Sequence, residues 1–142
     1  MIKLIVGVKG SGKTKLLISM VNGAVEESLG NVVCIEKGIK LRYDVNYRAR
    51  LINVDEYFVF GAKQLFGFVA GILASNSDVS DLYIDSALRI CDNDMDDFER
   101  LVNDLDELAD RYNVNLVMTS SVPAEKLSEG LRRFVFTPGE NV

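Results

Sequence analysis

The sequence predicts an α/β fold in which a parallel β-sheet carries helices on both faces. Short apolar runs of strand length alternate with segments of helical period through most of the chain. The runs at 32–35 and 82–84 are continuously apolar, which is typical of parallel strands covered by helices on both faces. With 142 residues the chain is long enough for one such domain, which we assign to residues 1–142.

Composition and charge argue against several classes of function. The net charge is −5, which disfavours a general nucleic-acid surface. The absence of histidine excludes a histidine-based triad, a histidine-ligated zinc site and a histidine general base. Cys34 and Cys91 have no metal-ligand spacing, so we expect two buried thiols. The first strand begins at residue 2 and the apolar runs are short, so we expect no signal peptide, no membrane span and a cytoplasmic location.

The first strand and the first helix are joined by a glycine-rich segment. An apolar run at 2–6 precedes it, a helical period follows it, and every fixed position fits G-x-x-x-x-G-K-[ST]: Gly7, Val8, Lys9, Gly10, Ser11, Gly12, Lys13 and Thr14. The glycines allow backbone N–H groups to surround an anion, and the helix N-terminus adds positive charge. In such a loop, Lys13 reaches the β- and γ-phosphates and the Thr14 hydroxyl ligates Mg²⁺. The segment therefore predicts binding of a nucleoside triphosphate together with Mg²⁺.

The next elements are a helix, a strand and a basic segment. A helical period follows the loop, and Gly30-Asn31 is expected to end that helix. The strand at 32–35 ends at Glu36. Residues 37–50 are rich in lysine and arginine with interleaved tyrosines, which fits either a solvated loop or a contact surface for a nucleotide, a nucleic-acid strand or a neighbouring subunit. Another strand at 51–54 is followed by Asp55-Glu56.

A helix at 61–74 is apolar almost all round, so it is either deeply buried or covered by a second copy of the chain. The second alternative predicts a homo-oligomer. A strand at 82–85 then delivers Asp85 at its carboxyl end, and an amphipathic helix follows with Asp94 as its N-cap and a solvated acidic outer face.

The last part of the chain contains a strand at 115–118 that ends in Thr119-Ser120. Pro123 is placed at the first position of a short helix that Gly130 would end, and a final short strand is expected at 134–136. In parallel sheets, ligands bind at the carboxyl ends of the strands. We therefore expect the glycine loop, Glu36, Asp85 and Thr119-Ser120 to meet at one edge of the sheet.

With these residues the chain resembles the RecA-like (ASCE) P-loop ATPases, in the order of its elements and in Ile35-Glu36 and Leu82-Tyr83-Ile84-Asp85-Ser86. The resemblance implies a three-layer α/β/α domain that binds and hydrolyses ATP. It implies that Lys13 and Thr14 serve phosphate and Mg²⁺, that Asp85 holds the metal and that Glu36 orients the attacking water. It also implies that Thr119 or Ser120 senses the γ-phosphate.

Three features of the sequence depart from the family pattern or offer an alternative assignment of the site residues. Ser86 stands where many P-loop ATPases have the water-orienting glutamate, so hydrolysis would depend on Glu36. Asp55-Glu56 also follows a strand and is a rival metal and water pair. Arg132 and Arg133 are candidates for an arginine supplied to a neighbouring copy, or are surface cations.

Three functions remain open from the sequence. The first is an ATP-hydrolysing switch or motor subunit. The second is a kinase similar to thymidine kinases, although those enzymes keep a glutamate after the metal-holding acid and a cysteine-rich zinc lobe, and this chain has Ser86 and no cysteine after Cys91. The third is an interaction module that does not turn over nucleotide.

Overall fold

The computed structural model describes residues 1–138, so residues 139–142 of the predicted domain lie outside the described range. The chain forms five strands, five helices and two 3-10 turns within that range. The strands are β1 (Lys3–Gly7), β2 (Asn31–Glu36), β3 (Arg50–Asn53), β4 (Val79–Ile84) and β5 (Asn115–Ser121). The helices are α1 (Lys13–Glu27), α2 (Ala62–Ser75), α3 (Ala87–Ile90), α4 (Met95–Tyr112) and α5 (Glu129–Arg132), and the 3-10 turns are Val54–Tyr57 and Ala124–Lys126.

All five strands are parallel and form one sheet in the order β1-β5-β4-β2-β3. Successive side chains of a strand point to opposite faces, and the sheet accordingly has two separate hydrophobic cores. Ile5 packs with Leu17 and Val21 of α1 on one face, and Leu4 packs on the other face with the buried side chains of α2 and α4. The predicted α/β fold, with a parallel sheet and helices on both faces, is confirmed.

Helix α4 is the clearest example of a sequence pattern that sets the packing. Asp94 caps it by accepting a hydrogen bond from the Asp97 N–H at 3.0 Å, as its position before the helix predicts. The apolar stripe that includes Phe98, Leu101 and Leu105 is buried, whereas the acidic side chains lie outside. Both predicted buried thiols, Cys34 and Cys91, are free and buried.

Helix α2 is only partly covered within this chain. Leu65 and Val69 are buried, but Phe66 and Phe68 are half-buried and Gly67 is exposed. The first alternative, a deeply buried helix, is therefore wrong, because only one side of α2 packs against the core and α4. Among residues 1–138, no helix combines the length and the apolar content that a membrane crossing requires.

Several boundaries differ from the sequence-based expectations. Helix α1 ends at Glu27, before Gly30, and a Cβ added to Gly30 would lie 2.6 Å from the Asp78 carbonyl oxygen. Gly30 is therefore required by close chain approach and not by the helix end. Pro123 precedes a 3-10 turn, and Gly130 lies inside α5 and does not end a helix.

The expected final strand at 134–136 is reduced to a single parallel bridge. The Leu4 N–H donates to the Phe134 carbonyl at 2.8 Å, and the Phe136 N–H donates to the Leu4 carbonyl at 2.8 Å. This contact covers the outer edge of β1.

Candidate functional site

A cleft of about 750 Å³ opens at the carboxyl ends of the strands. Eight of the residues predicted for the site line it: Lys9, Gly10, Gly12, Lys13, Thr14, Glu36, Asp85 and Thr119. Gly7, Val8 and Ser11 belong to the same loop but do not line the cleft. The structure thus brings together most of the residues that the sequence assigned to a common edge.

The glycine loop is shaped by two of its glycines. Gly12 precedes α1 with φ 91°, a left-handed conformation that favours glycine, and it offers no side-chain acceptor to the helix. The N–H groups of the first turn of α1 are therefore available to an anion. At Gly7 a Cβ would lie 2.7 Å from Ser11 Oγ, so the absence of a side chain lets the loop close.

The Lys13 ammonium group lies over its own loop. Its Nζ donates to the Val8 carbonyl oxygen at 2.8 Å and is 3.5 Å from Ser11 Oγ. Burial lowers the pKa of Lys13, and the negative charge of Asp85 partly opposes that effect. The side chain is thus anchored at the mouth of the loop, where a phosphate oxygen offers the ammonium a more favourable partner than a neutral carbonyl does.

Asp85 follows the last residue of β4 and joins the glycine loop to β5. Its Oδ1 accepts hydrogen bonds from Thr14 Oγ1 at 3.1 Å and from Thr119 Oγ1 at 2.7 Å. Thr119 Oγ1 in turn accepts the Ser86 N–H at 2.8 Å. The Asp85 side chain is therefore held by the hydroxyl groups of Thr14 and Thr119, and Ser86 Oγ lies 3.4 Å from its Oδ2.

Asp85 is a buried carboxylate without a cation partner. Its exposed fraction is 8%, and none of the salt bridges among residues 1–138 includes it, since Lys13 acts on it only at longer range. Buried carboxylates are normally paired with a cation or bound to a metal ion. Carboxylate and hydroxyl oxygens suit Mg²⁺, which takes only one or two protein carboxylates and completes its shell with phosphate oxygens and water. The pair Thr14 and Asp85 fits that requirement, although the described residues contain no cluster of three metal-binding side chains.

Glu36 ends β2 and lines the same cleft. It is 3% exposed, and its Oε1 accepts the Leu41 N–H at 3.2 Å. Burial raises the pKa of Glu36, the neighbouring Asp85 adds to the increase, and the backbone N–H groups of Lys40 and Leu41 oppose it. A carboxyl group with a raised pKa in a cleft is suited to positioning a water molecule or accepting its proton.

The rival pair Asp55-Glu56 lies outside the cleft. Asp55 is bound by Lys37 at 2.7 Å, and neither Asp55 nor Glu56 lines the cavity. The strand order explains this, because β3 is four strand positions from β1 and β4 is only two. At about 4.8 Å per strand, β3 is about 19 Å from β1, whereas β4 is about 10 Å away.

The remaining site residues predicted from the sequence do not line the cleft. Ser120 is buried and turned away from the cleft: its hydroxyl donates to the Thr119 carbonyl at 2.7 Å and accepts the Leu88 N–H at 3.2 Å. Arg132 and Arg133 do not line the cleft either. Arg132 donates to the Glu125 carbonyl, and Arg133 donates to Asn103 and lies over the Phe134 ring.

Eight further residues line the cleft, and two of them, Lys37 and Lys40, belong to the basic segment for which the sequence left a nucleotide contact open. The eight residues are Lys15, Lys37, Lys40, Ser86, Leu88, Arg89, Asn93 and Ser121. Ser121 continues the polar end of β5, a signal that the sequence contained. The segment from Ser86 to Asn93 was overlooked because a four-residue helix has too few positions to show a period.

The basic segment 37–50 is an irregular loop held by three buried apolar side chains, Leu41, Val45 and Ala49. Its first lysines, Lys37 and Lys40, reach the cleft, whereas Tyr43 and Tyr47 are exposed. The loop is therefore anchored and not fully solvated.

No family model and no curated protein matches this sequence. A functional assignment therefore depends on the geometry of the cleft.

Proposed function

We propose that this protein is a minimal P-loop NTPase of the RecA-like type, which binds Mg-ATP in the cleft and hydrolyses it as a switch or motor subunit. The observation that carries the proposal is the contact of Thr14 Oγ1 with Asp85 Oδ1 at 3.1 Å. It joins the last residue of the glycine loop to a buried, unpaired carboxylate 71 positions away in sequence.

Each residue has a distinct role in this proposal. The loop N–H groups and Lys13 bind the β- and γ-phosphates. Thr14 and Asp85 would hold Mg²⁺, and this ion supplies charge neutralisation at the phosphates when it is bound. Glu36 orients the water. Phosphoryl transfer depends mainly on positioning and charge, which these groups supply without a covalent intermediate.

For Thr119 we propose a role other than the γ-phosphate sensing that the resemblance suggests. Its hydroxyl donates to Asp85 and accepts the Ser86 N–H, so both of its hydrogen-bonding directions are in use. We assign it the role of orienting Asp85 toward Thr14.

The first test is nucleotide binding by thermal shift and calorimetry. At a ligand concentration one hundred times Kd, Mg-ATP should stabilise the wild-type chain by about 2.7 kcal/mol, or roughly 5–11 °C in Tm. Lys13→Ala should lose this stabilisation, because the cation at the phosphates is removed. An unchanged shift would refute the phosphate site.

A matched pair of variants then tests the metal assignment. Asp85→Asn should weaken Mg-ATP binding by about 10–100-fold, the range for losing a group that organises a metal site. Asp55→Asn, which makes the same chemical change outside the cleft, should leave the affinity within about twofold. The reverse result would assign the metal to Asp55.

Phosphate release separates the alternatives. Release without an acceptor supports the ATPase, and turnover only after addition of a nucleoside supports a kinase. Binding without turnover supports a nucleotide-dependent interaction module. Because Ser86 follows Asp85, Glu36→Gln should abolish release while binding is kept if Glu36 orients the water.

Self-association is part of the same proposal. In the segment 61–74 the apolar side chains Phe66, Phe68, Ile72 and Leu73 are only half-buried, and a second copy of the chain is the partner we assign to them. Light scattering with and without Mg-ATP tests this assignment. A monomer in both states would contradict it.

A further inference from the structure

We propose that Arg89 is a catalytic residue supplied in cis, whose guanidinium contacts the terminal phosphate of the bound nucleotide. This inference rests on the function proposed above. In the reaction, the bond between the γ-phosphorus and the β,γ-bridging oxygen breaks, and a bond from the water oxygen to phosphorus forms. Of the two water protons, one stays on the released hydrogenphosphate and one passes to solvent. Arg89 transfers no proton and stabilises charge on the phosphoryl oxygens.

The position of Arg89 follows from the short helix that begins after Asp85. Ala87, Leu88 and Ile90 of α3 are buried, whereas Arg89 is exposed and lines the cleft. The helix is fixed at both ends: the Leu88 N–H donates to Ser120 Oγ at 3.2 Å, and the Ile90 carbonyl accepts the Gly61 N–H at 3.0 Å. The backbone from which the guanidinium extends is therefore well supported.

Arg89 also lies on the side of the cleft where we place the phosphates. Thr14 and Asp85 mark the position of the β- and γ-phosphates, and Arg89 lies one helical turn beyond Asp85 on the same wall. In the proposed Mg-ATP complex the terminal phosphate lies near Lys13, Thr14 and Asp85. An arginine that lines the same cleft four residues after Asp85 is therefore placed on the phosphate side.

Arg89 differs from the other arginines in having no protein partner. Within residues 1–138, which contain all eight arginines, its guanidinium makes no hydrogen bond, salt bridge or aromatic contact. The other seven have such partners: Arg42 with Tyr43, Arg48 with Glu26, Arg50 with Leu51, Arg100 with Asp97, Arg111 with Glu107, Arg132 with Glu125 and Arg133 with Asn103. Arg132 and Arg133, the arginines that the sequence favoured, are therefore held by their own segment.

The backbone around α3 is held in an uncommon conformation. Ser86, Asp92 and Asn93 have φ near 60°, and they are three of the five non-glycine residues with positive φ in the described chain. Such conformations cost free energy and cluster at functional sites, where the surrounding structure maintains them. Here they turn the chain sharply before and after α3, so that Arg89 and Asn93 both face the cleft.

The test measures phosphate release at saturating Mg-ATP for Arg89→Ala and Arg89→Lys. Arg89→Ala should lower kcat by about 10³-fold, the lower end of the range for arginine fingers. Arg89→Lys should recover part of the rate, because a lysine keeps the charge but not the planar fork. Arg111→Ala, which removes an exposed arginine of α4 remote from the cleft, is the matched control. A change of less than twofold for Arg89→Ala would overturn the proposal.

A binding measurement keeps the test independent of turnover. ADP with Mg²⁺ and aluminium fluoride mimics the transferring phosphoryl group, and it should raise Tm more than Mg-ADP alone. Arg89→Ala should lose this additional stabilisation but keep the shift with Mg-ADP. Equal responses of the wild type and Arg89→Ala to the mimic would overturn the inference, whereas a wild type that binds no nucleotide would overturn the proposed function itself.

Mixing two variant chains distinguishes action of Arg89 within its own chain from action on a neighbouring copy. The Lys13→Ala chain retains Arg89 but lacks the phosphate-binding lysine, so it can supply an arginine without hydrolysing ATP. An excess of this chain should not restore hydrolysis by Arg89→Ala. Restoration would assign the arginine to a neighbouring copy and overturn action in cis.

Discussion

Replacing Thr119 with valine removes the hydroxyl group that joins β5 to Asp85 and Ser86 in the cleft. Valine has nearly the same shape as threonine. Because Thr119 is only 2% exposed, the substituted side chain also gains no access to water. Two hydrogen bonds are lost: the bond to Asp85 Oδ1 at 2.7 Å and the bond from the Ser86 N–H at 2.8 Å. Asp85 then keeps Thr14 as the donor to Oδ1, and the Ser86 N–H has no acceptor.

The size of the effect follows from these two losses. A hydrogen bond to a charged group contributes about 1.5–3 kcal/mol, and a buried donor left without a partner costs about 1–3 kcal/mol. Because the two bonds share one hydroxyl, the values do not add fully. We expect Thr119→Val to lower the free energy of unfolding by about 2–4 kcal/mol, or roughly 5–15 °C in Tm.

Urea unfolding followed by circular dichroism measures this change, with Thr119→Ser as the control. Serine keeps the hydroxyl and loses only the methyl group, at about 1 kcal/mol. We therefore expect the order wild type, then serine, then valine, with similar m values. A valine variant as stable as the serine variant would show that the hydroxyl does not organise the cleft. Mg-ATP should also bind the valine variant more weakly, because Asp85 is no longer oriented.

Two further predictions test the protonation of Glu36 and the role of glycine. Burial raises the pKa of Glu36, so its contribution to stability is present below its ordinary pKa and is lost as pH rises through the raised value. The Tm advantage of Glu36→Gln over the wild type should grow as the pH rises above the ordinary glutamate pKa of about 4.3, and a constant difference would contradict the burial effect. Gly30→Ala should cost about 1–3 kcal/mol, because its Cβ would meet the Asp78 backbone oxygen at 2.6 Å. Gly67→Ala, on the exposed side of α2 with no atom within 4 Å, should instead stabilise the protein by about 0.5–1 kcal/mol, and equal effects of the two substitutions would contradict these contacts.

The site could be predicted from sequence to the extent that its chemistry is local. The glycine loop is a continuous segment in which strand, turn and helix signals agree, so its placement between β1 and α1 was correct. Asp85 and Glu36 were placed at the sheet edge because each follows a continuous apolar run. Very short elements were poorly predicted, because they contain too few residues to show a repeated pattern: α3 has four residues and was not foreseen, and the strand expected at 134–136 forms only one bridge.

By itself, the amino-acid sequence determined the α/β class, the glycine loop between β1 and α1 and the set of polar residues at the strand ends, because apolar periodicity and glycine spacing act over neighbouring residues. Only the tertiary structure decided which of these residues meet. The strand order separates Asp55 from the loop and brings Asp85 to Thr14, and this order depends on contacts between residues far apart in the chain. The same packing turns Ser120 inward and places the Thr119 hydroxyl where it donates a hydrogen bond to Asp85. It also leaves Arg89 without a protein partner at the wall of the cleft.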